Sequence, residues 1–514
     1  MTLTHFTTLV LCTILSGRYA IAQEEFPVGL AQGILAGEVS DSSALLQARL
    51  TSTDPMVDRH WSGIVGARGA GRFEISENSD FRQSRFSAWI EAVPEYDFIV
   101  KSKINGLRPG SRYYYRLHYG PNRERARTSA TANFKTHAGR GAEDEVSFAV
   151  VTGMNYSAFH HFGQGSRWPP YQGTDKHLGY PALAAMLKIK PDYFVATGDN
   201  VYYDAPPVGR AETPHQIRLK YQEQFSQPRY LDLFREVATY WIKDDHDYRF
   251  NDADSVNPFL LSGVARTSDD EYPDENVRPW RSGSGHLPAH ETGIHMFQEQ
   301  LPVVDPLDPN PITYRTYRVT KSLQIWLVEG RDYRSPNDMP DGPNKTIWGA
   351  EQKAWLKRTL LESDAAFKIL ISPTPMVGPD SANKRDNHVN IRGFRHEGDE
   401  FFRWLTENGF GDKNFYVICG DRHWQYHAVH PSGFEEFSSG AFVDANSIPG
   451  ASPGDPNSTD PEGKIRHLYH NAEPTGGFLV VRVQPRPAGG QATAIFEFFD
   501  EQGVSLYRHV KQSN

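Results

Sequence analysis

The sequence VATYWIKDDHDY spans residues 237–248. Its first six residues predict a buried strand, and the next six place three carboxylates and an imidazole at the carboxyl end of that strand. Clustered carboxylates are costly away from water unless cations or hydrogen-bond donors balance them, and oxygen ligands suit hard metal ions. We therefore predict that this strand end forms part of a metal site.

The same pattern recurs at two other points in the chain. YFVATGDNVYYD covers residues 193–204, and FYVICGDRH covers residues 415–423. Each begins with a run typical of a buried strand and continues into side chains that can bind a metal. Because ligands collect beyond the carboxyl ends of strands in open α/β sheets, we expect the three ends to face one crevice.

The composition predicts a globular chain with room for two domains. It has 514 residues, of which 38% are hydrophobic and 12% aromatic. The 63 acidic residues exceed the 54 basic ones and give a net charge of −9. An acidic balance argues against a nucleic-acid-binding surface.

Residues 1–22 predict a secretory signal peptide. Residues 6–17 form a short apolar segment, and the Ala-Ile-Ala of residues 20–22 is typical of a cleavage sequence. The apolar segment is shorter than the ~18 residues that a membrane span needs. We therefore expect a secreted or periplasmic chain with no transmembrane anchor after cleavage.

Residues 23–137 predict an all-β domain with an Ig/fibronectin III-like sandwich. Short strand patterns alternate there with turns rich in Gly, Pro, Asp and Ser. The sharpest signal is LRPGSRYYYRL at residues 107–117, which resembles the corner of fibronectin type III domains where a tyrosine hydroxyl binds the backbone. The Gly-rich residues 138–144 then predict a linker between separable domains.

Residues 146–514 predict an α/β domain, because strand patterns alternate there with helical patterns. Four of the strand patterns lie at residues 148–151, 193–197, 323–328 and 367–371. Residues 251–320 and 445–475 are long connectors rich in Pro, Gly, Asp and His, and long loops are often binding loops or lids. We expect both connectors to wall the crevice.

The residues at the three strand ends suit two neighbouring cations. Asp199 can bridge both, because a carboxylate offers two oxygens. Tyr202 lies three residues further on, and a phenol becomes an anionic ligand only beside a strongly polarising ion, which favours a trivalent metal such as iron. His423 offers an imidazole to the same ion, while Asp245 and Asp421 can supply oxygens to a second, less demanding one.

Three strand-end sequences together resemble the PhoD-like (alkaline phosphatase D) branch of the calcineurin-like metallophosphoesterases. They are GDxxY at 198–202, DDHD at 244–247 and GDxH at 420–423. WGxxQxxWL at 348–356, followed by KILISPTPM at 368–376, also resembles that family. The resemblance implies an α/β metallophosphoesterase fold, a phosphate-ester substrate, and the metal roles described above with calcium as the second ion. It also matches His246 to the histidine that assists the leaving group.

The chain departs from this family at one position. The family usually has Ser-Cys-Gln after its first strand, whereas this chain has TGMN at residues 152–155. Gly153 therefore replaces the cysteine ligand to iron, and Asn155 could serve instead as a neutral oxygen ligand. The predicted cofactors are two or more metal ions, iron plus calcium. Without the cysteine ligand, a different metal could take the place of iron.

Further residues are candidates for metal or substrate contacts. They are Asn155, Asp204, Asp244, Arg331 and His388. Arg331 could clamp a phosphate bidentately or form a plain salt bridge. His388 could be a ligand, although its place in a loop favours a surface residue.

Two functions are consistent with these features. The first is an exported phosphoric-ester hydrolase acting on monoesters or diesters, in which metals activate water and His246 protonates the departing alkoxide. The second is an exported binding protein whose enzyme domain has degenerated, as the missing cysteine would allow. The nearly complete set of remaining residues, including an acid at His246, favours the hydrolase.

Overall fold

The computed structural model describes residues 26–53, 64–161, 169–206, 210–256, 288–486 and 490–514. The predicted signal peptide and much of the 251–320 connector lie outside these residues. Within them, no helix has both the length and the apolar character needed to cross a membrane.

The N-terminal part of the chain is built from short strands. They are β1 (Val28–Gly29), β2 (Ile34–Gly37), β3 (Ser43–Arg49), β4 (Thr51–Ser52), β5 (Gly69–Ser76), β6 (Arg85–Phe86), β7 (Ile90–Ala92), β8 (Ile99–Asn105), β9 (Arg112–Gly120), β10 (Arg127–Thr128) and β11 (Ala132–Lys135). One sheet is centred on the antiparallel pair β5 and β9, while β2, β3 and β8 pair antiparallel in another. The Tyr113 hydroxyl accepts a hydrogen bond from the backbone N–H of Arg108 at 2.9 Å, which confirms the predicted tyrosine corner.

The rest of the chain alternates strands with helices. Its strands are β12 (Val146–Val151), β13 (Tyr193–Thr197), β14 (Ala238–Ile242), β15 (Arg315–Arg318), β16 (Leu323–Leu327), β17 (Phe367–Ser372), β18 (Phe415–Cys419), β19 (Gln425–Val429), β20 (Glu435–Ser439), β21 (Arg466–His470), β22 (Gly477–Gln484), β23 (Thr493–Asp500) and β24 (Ser505–Gln512). Its helices are α1 (Tyr156–His160), α2 (Pro181–Ile189), α3 (Pro214–Phe225), α4 (Pro228–Phe234), α5 (His290–Gln300), α6 (Gly349–Leu361) and α7 (Arg395–Glu407). The predicted α/β layering is thus present.

Two large mixed sheets carry the candidate site. The order of the nine-stranded sheet is β24-β23-β22-β12-β13-β14-β2-β3-β8, and that of the seven-stranded sheet is β15-β16-β17-β18-β20-β19-β21. Strands β12, β13 and β14 pair in parallel, as do β16, β17 and β18. In each sheet the carboxyl ends of these parallel strands therefore meet at one edge.

The main core lies between the two sheets. Along β12, Phe148 and Val150 pack in the same cluster as Ile369 of the seven-stranded sheet, whereas Ala149 and Val151 pack in the cluster that contains α2. A third cluster packs α6 and α7 against the other face of the seven-stranded sheet. Every second residue of a strand faces the same side of the sheet. A continuously apolar run such as VSFAVV therefore places apolar side chains in the clusters on both faces.

The N-terminal strands join the second part of the chain more closely than the linker predicts. β2 pairs in parallel with β14 through Gly37 and Thr239, so β2, β3 and β8 continue the nine-stranded sheet. The predicted connectors also contain regular structure, since α5 and β15 lie within 251–320 and β21 lies within 445–475. These elements are short and polar, so the composition of the connectors does not predict them.

Candidate metal centre

Asp199 and Asp421 each follow a glycine at a strand end, and both lie in the left-handed region with φ of 53° and 62°. Aspartate tolerates this conformation better than most residues. The glycines are required by packing, since a Cβ on Gly198 would lie 2.3 Å from the Cβ of Asp244. A Cβ on Gly420 would lie 2.6 Å from a side-chain oxygen of β13. The two Gly-Asp pairs thus allow the ends of β13, β14 and β18 to meet.

The first group of donor atoms joins the ends of β13 and β18. Asp199 Oδ2 lies 2.9 Å from Tyr202 Oη and 2.9 Å from His423 Nε2, and those two atoms are 3.0 Å apart. All three side chains are buried. A carboxylate, a phenol and an imidazole therefore converge on one point, as the sequence predicts.

The second group consists of carboxylates. Oxygens of Asp244, Asp245 and Asp421 lie within 4.8 Å of one another. Among the described residues, Asp244 Oδ2, Asp421 Oδ2 and Asp199 Oδ1 are buried without a hydrogen-bond partner. Burial raises the pKa of Asp421 to about 6 and raises the pKa of Asp244 well above its usual range. Ionising all of these groups together requires additional positive charge.

Two cationic side chains, one of them partly exposed, supply part of that charge. Lys384 Nζ lies 3.0 Å from Asp252 Oδ1 and 3.4 Å from Asp421 Oδ1. Arg331 lies on the other side, against Asp244. The remaining unpartnered carboxylate oxygens, together with the phenol and imidazole of the first group, form a donor set suited to hard and borderline metal ions. The residues present therefore fit more than one bound metal ion.

His246 is held at the edge of both groups. Its Nδ1 lies 2.8 Å from Asp204 Oδ1, and its ring stacks on Tyr202 with the ring centres 4.3 Å apart. One of its ring nitrogens lies within 4.8 Å of carboxylate oxygens of Asp199 and Asp245. Burial lowers the pKa of His246, but Asp204, Asp245 and Asp199 outweigh this effect, so its pKa is well above the usual value. Asp204 therefore fixes both the orientation and the charge of the ring.

Arg331 is already saturated by protein groups. Its Nε donates to Asp244 Oδ1 at 2.7 Å, its Nη1 donates to the carbonyl of Ala253 at 2.7 Å, and its Nη2 donates to Asp386 Oδ2 at 3.3 Å. The side chain is fully buried. Of the two alternatives for Arg331, this geometry favours the salt bridge over a phosphate clamp.

His388 lies away from the two groups of donor atoms. It is buried rather than on the surface, with Nε2 3.1 Å from Glu397 Oε2 and its ring against Trp348. Glu397 in turn accepts a hydrogen bond from the backbone N–H of Ile347 at 2.6 Å. The surface position favoured from its loop is therefore wrong, because the loop is folded against α7.

The position of the absent cysteine faces the first group of donor atoms. A Cβ on Gly153 would lie 3.0 Å from His423 Cδ2 and 3.1 Å from His423 Nε2, and Gly153 has a φ of 66°. The side chain of Asn155 accepts a hydrogen bond from the backbone N–H of Ala158 and so caps α1. Its amide nitrogen lies 3.3 Å from Asn446 Oδ1.

Several residues of this centre were not predicted. Asn446 donates to Tyr202 Oη at 2.8 Å and to the carbonyl of Gly153 at 3.1 Å. Lys384, Asp252 and Asp386 surround the carboxylate group. They lie in or beside loops, where the sequence has no periodic pattern that would show their proximity. Asp252 and Asn446 bring one residue of each long connector beside the donor groups, whereas the walling of a crevice by the connectors stays a prediction.

The sequence profile of the PhoD-like phosphatase matches residues 148–479, and the profile of the PhoD-like phosphatase N-terminal domain matches residues 17–138. The chain belongs to the PhoD-like phosphatase family. Alkaline phosphatase D from Bacillus subtilis is 20% identical over 436 residues, which make up 80% of this chain and 67% of that relative.

Two solved structures share the fold of this PhoD-like phosphatase. A structure of PhoD superimposes with a TM-score of 0.66 at 17% identity, covering 96% of this chain and 91% of that one. A purple acid phosphatase from yellow lupin (Lupinus luteus) seeds superimposes with a TM-score of 0.54 at 11% identity, covering 93% and 73%. The predicted metallophosphoesterase fold is confirmed, whereas the Ig/fibronectin III-like character of the N-terminal part stays a prediction. Family and donor groups together support a metal-dependent phosphoesterase.

Proposed function

We propose that this PhoD-like phosphatase hydrolyses phosphoric esters at a dinuclear metal site, as a phosphomonoesterase, a phosphodiesterase or both. The observation that carries the proposal is the convergence of Asp199 Oδ2, Tyr202 Oη and His423 Nε2 within 3.0 Å, beside buried carboxylate oxygens that lack a partner. Such a constellation is costly to fold unless cations occupy it.

Each side chain has a role in this proposal. Asp199 would be a ligand of both ions, Tyr202 and His423 would complete an iron site, and Asp245 and Asp421 would hold calcium. Asn446, which donates to the Tyr202 hydroxyl, fixes the phenol in place. Burial and the Asp199 carboxylate raise the pKa of Tyr202 well above its usual value, so its phenol would ionise only beside a bound cation that favours the anion.

The reaction is an in-line displacement at phosphorus. When bound, the two cations would polarise the phosphoryl oxygens and lower the pKa of an attacking water. His246 donates a proton to the departing alkoxide oxygen, and Asp204 holds the ring by its Nδ1 at 2.8 Å. Arg331 lowers the pKa of Asp244, which burial raises, and so favours its carboxylate form beside the site.

The proposal includes export. The apolar residues 6–17 and the Ala-Ile-Ala of residues 20–22 support a cleaved signal and a secreted or periplasmic enzyme. Either location would give it soluble phosphate esters as substrates.

Metal analysis combined with a panel of phosphomonoesters and phosphodiesters tests this proposal. We expect about two equivalents of iron and calcium together in the wild type, and we expect Asp199→Ala to lose both ions and essentially all hydrolysis while staying folded. Asp232→Ala, at an exposed aspartate on α4, is the matched control and should change neither quantity. A folded wild type that contains no metal and hydrolyses none of the esters would favour the binding protein instead. Two retained equivalents in Asp199→Ala would remove that residue from the bridging role.

A further inference from the structure

A second group of side chains that can bind a metal lies outside the candidate metal centre, on three strands in the C-terminal part of the chain. We call it the His-Glu-His cluster: His427 on β19, Glu435 on β20 and His509 on β24. Each residue offers one ligand atom, and these atoms lie within 4.8 Å of one another. β19 and β20 belong to the seven-stranded sheet and β24 to the nine-stranded sheet, so the cluster joins the two.

The two distances from Glu435 to the imidazoles are close to those between ligands of a tetrahedral ion. Glu435 Oε2 lies 2.9 Å from His427 Nε2 and 3.3 Å from His509 Nε2. Bonds of about 2.0–2.1 Å to a tetrahedral zinc place neighbouring ligand atoms roughly 3.3 Å apart. The distance from Glu435 to His509 already has this value, and the distance to His427 would have to lengthen by only a few tenths of an ångström.

Tyr507 contacts the Nδ1 atoms of both imidazoles, on the side of each ring away from Glu435. Its hydroxyl lies 3.1 Å from His427 Nδ1 and 3.5 Å from His509 Nδ1. Because an uncharged hydroxyl oxygen can accept hydrogen bonds, it suits rings that carry their proton on Nδ1 and present a lone pair at Nε2. Histidines that bind metals are commonly held in this way through the other ring nitrogen.

His509 Nε2 is shielded from solvent, and Glu435 Oε2 at 3.3 Å is its neighbour without forming a hydrogen bond to it. His427 is fully buried, so its Nε2 faces the cluster and not solvent. Lys511 pairs with the other oxygen of Glu435, with Nζ 2.6 Å from Oε1. Glu435 Oε2 therefore faces the two histidines.

We propose that His427, Glu435 and His509 bind a structural divalent cation of the zinc class. Two imidazoles and one carboxylate oxygen are ligands that zinc prefers, and the fourth tetrahedral position is left for water. The ion would fasten β24, at the edge of the nine-stranded sheet, to the seven-stranded sheet. This site is independent of the phosphoesterase chemistry proposed above.

The test compares the zinc content of full-length variants after equilibrium dialysis against micromolar zinc. We expect His509→Gln to bind one equivalent less than the wild type, with unchanged hydrolysis of a phosphate ester. His396→Gln, at an exposed histidine of α7, is the matched control and should bind as much as the wild type. Zinc should also raise the Tm of the wild type and the control by about 2–3 °C at saturating concentration, but not that of His509→Gln.

A second variant keeps the test decisive if His509→Gln folds poorly. Lys511 is 32% exposed, and its charge repels a cation at the cluster. Lys511→Met should therefore bind zinc more tightly than the wild type, by about tenfold or more. Equal zinc content and equal Tm shifts in the wild type and His509→Gln, or unchanged zinc affinity in Lys511→Met, would overturn the proposal.

Discussion

At the scale of single residues, His246 is constrained from three sides. Asp204 holds its Nδ1 at 2.8 Å, Tyr202 stacks on its face, and its backbone N–H donates to Asp245 Oδ1 at 3.0 Å. Asp204 is itself fixed by the backbone N–H of Asn251 at 3.0 Å. A ring held so firmly is suited to protonating one oxygen in one direction.

A leaving-group series tests this role. His246→Gln should lower kcat/KM for an alkyl phosphate by about 10²–10⁴-fold, because an alkoxide needs a proton as it departs. The loss for a nitrophenyl phosphate should be much smaller, since nitrophenolate leaves without help. Asp204→Asn should show the same trend with a smaller loss. Equal losses on both esters would show that His246 acts on binding or metal affinity rather than on the leaving group.

Local sequence pattern was sufficient to predict part of the site. Asp199, Asp245 and Asp421 lie just after buried strands. The carboxyl ends of parallel strands lie at one edge of a sheet regardless of the conformation of the loops. Asn446 and Lys384 could not be found in this way, because their distance from Tyr202 and Asp421 depends on how long loops fold back. The unexpected burial of His388 has the same cause.

Gly153 combines a left-handed backbone conformation with a position facing the site. Its φ of 66° favours glycine, and an added Cβ would lie 3.0 Å from His423. Gly153→Ala should therefore lower the free energy of unfolding by about 1–2 kcal/mol for the backbone alone, and by more through the contact. Gly409→Ala is the matched control, because Gly409 has a φ of 69° and its Cβ would meet nothing within 4 Å.

The comparison of Gly153→Cys with Gly153→Ala isolates the thiolate. Both variants carry the same backbone strain, so any higher iron content or regained stability in the cysteine variant reports a new bond to the first ion. We expect more iron in Gly153→Cys than in Gly153→Ala, measured by metal analysis and by the visible phenolate-to-iron absorption. Identical iron content in the two variants would show that this position does not reach the ion.

At the scale of elements, Arg331 connects the two sheets at their functional edge. It follows β16 of the seven-stranded sheet and binds Asp244, which follows β14 of the nine-stranded sheet. It also binds the carbonyl of Ala253 and Asp386, so one buried guanidinium joins the strand ends to two loops. Removing one partner of a buried ion pair leaves the other charge uncompensated.

Arg331→Met should therefore destabilise the protein by about 3–5 kcal/mol. Chemical denaturation of the metal-loaded protein measures this change, and metal analysis shows whether the carboxylate group still binds its ion. Arg392→Met, at an exposed arginine, should change stability by less than about 0.5 kcal/mol. A loss below about 1 kcal/mol in Arg331→Met would mean that the bound ions alone balance Asp244 and Asp386.

The α/β layering was easier to predict than the joining of the N-terminal strands to it. Alternating strand and helix patterns predict that layering. Nothing in the Gly-rich residues 138–144 indicates that β2 pairs with β14, because a single bridge between Gly37 and Thr239 leaves no local pattern. The predicted boundary therefore lies between segments that share one sheet.

At the scale of the whole molecule, the N-terminal strands are part of the main core. Leu46 and Tyr115 pack in the same buried cluster as Val195 of β13 and Ile418 of β18. Polar contacts add to this packing, since Lys101 Nζ donates to three backbone carbonyls at the end of α5 at 2.7–3.0 Å. An N-terminal unit attached in this way stabilises the phosphoesterase part as well as itself.

A chain of residues 143–514 should consequently fail to fold as a soluble monomer. Its β14 would become an open edge beside uncovered apolar side chains such as Tyr240, and α5 would lose the lysine at its end. We expect aggregation, or a Tm at least 10 °C below that of residues 23–514, which is the matched control and loses only the predicted signal peptide. Size-exclusion chromatography and thermal unfolding measure both outcomes. A monomeric 143–514 chain that melts cooperatively near the Tm of the control would show that the shared sheet contributes little and that the 138–144 linker separates two independent domains.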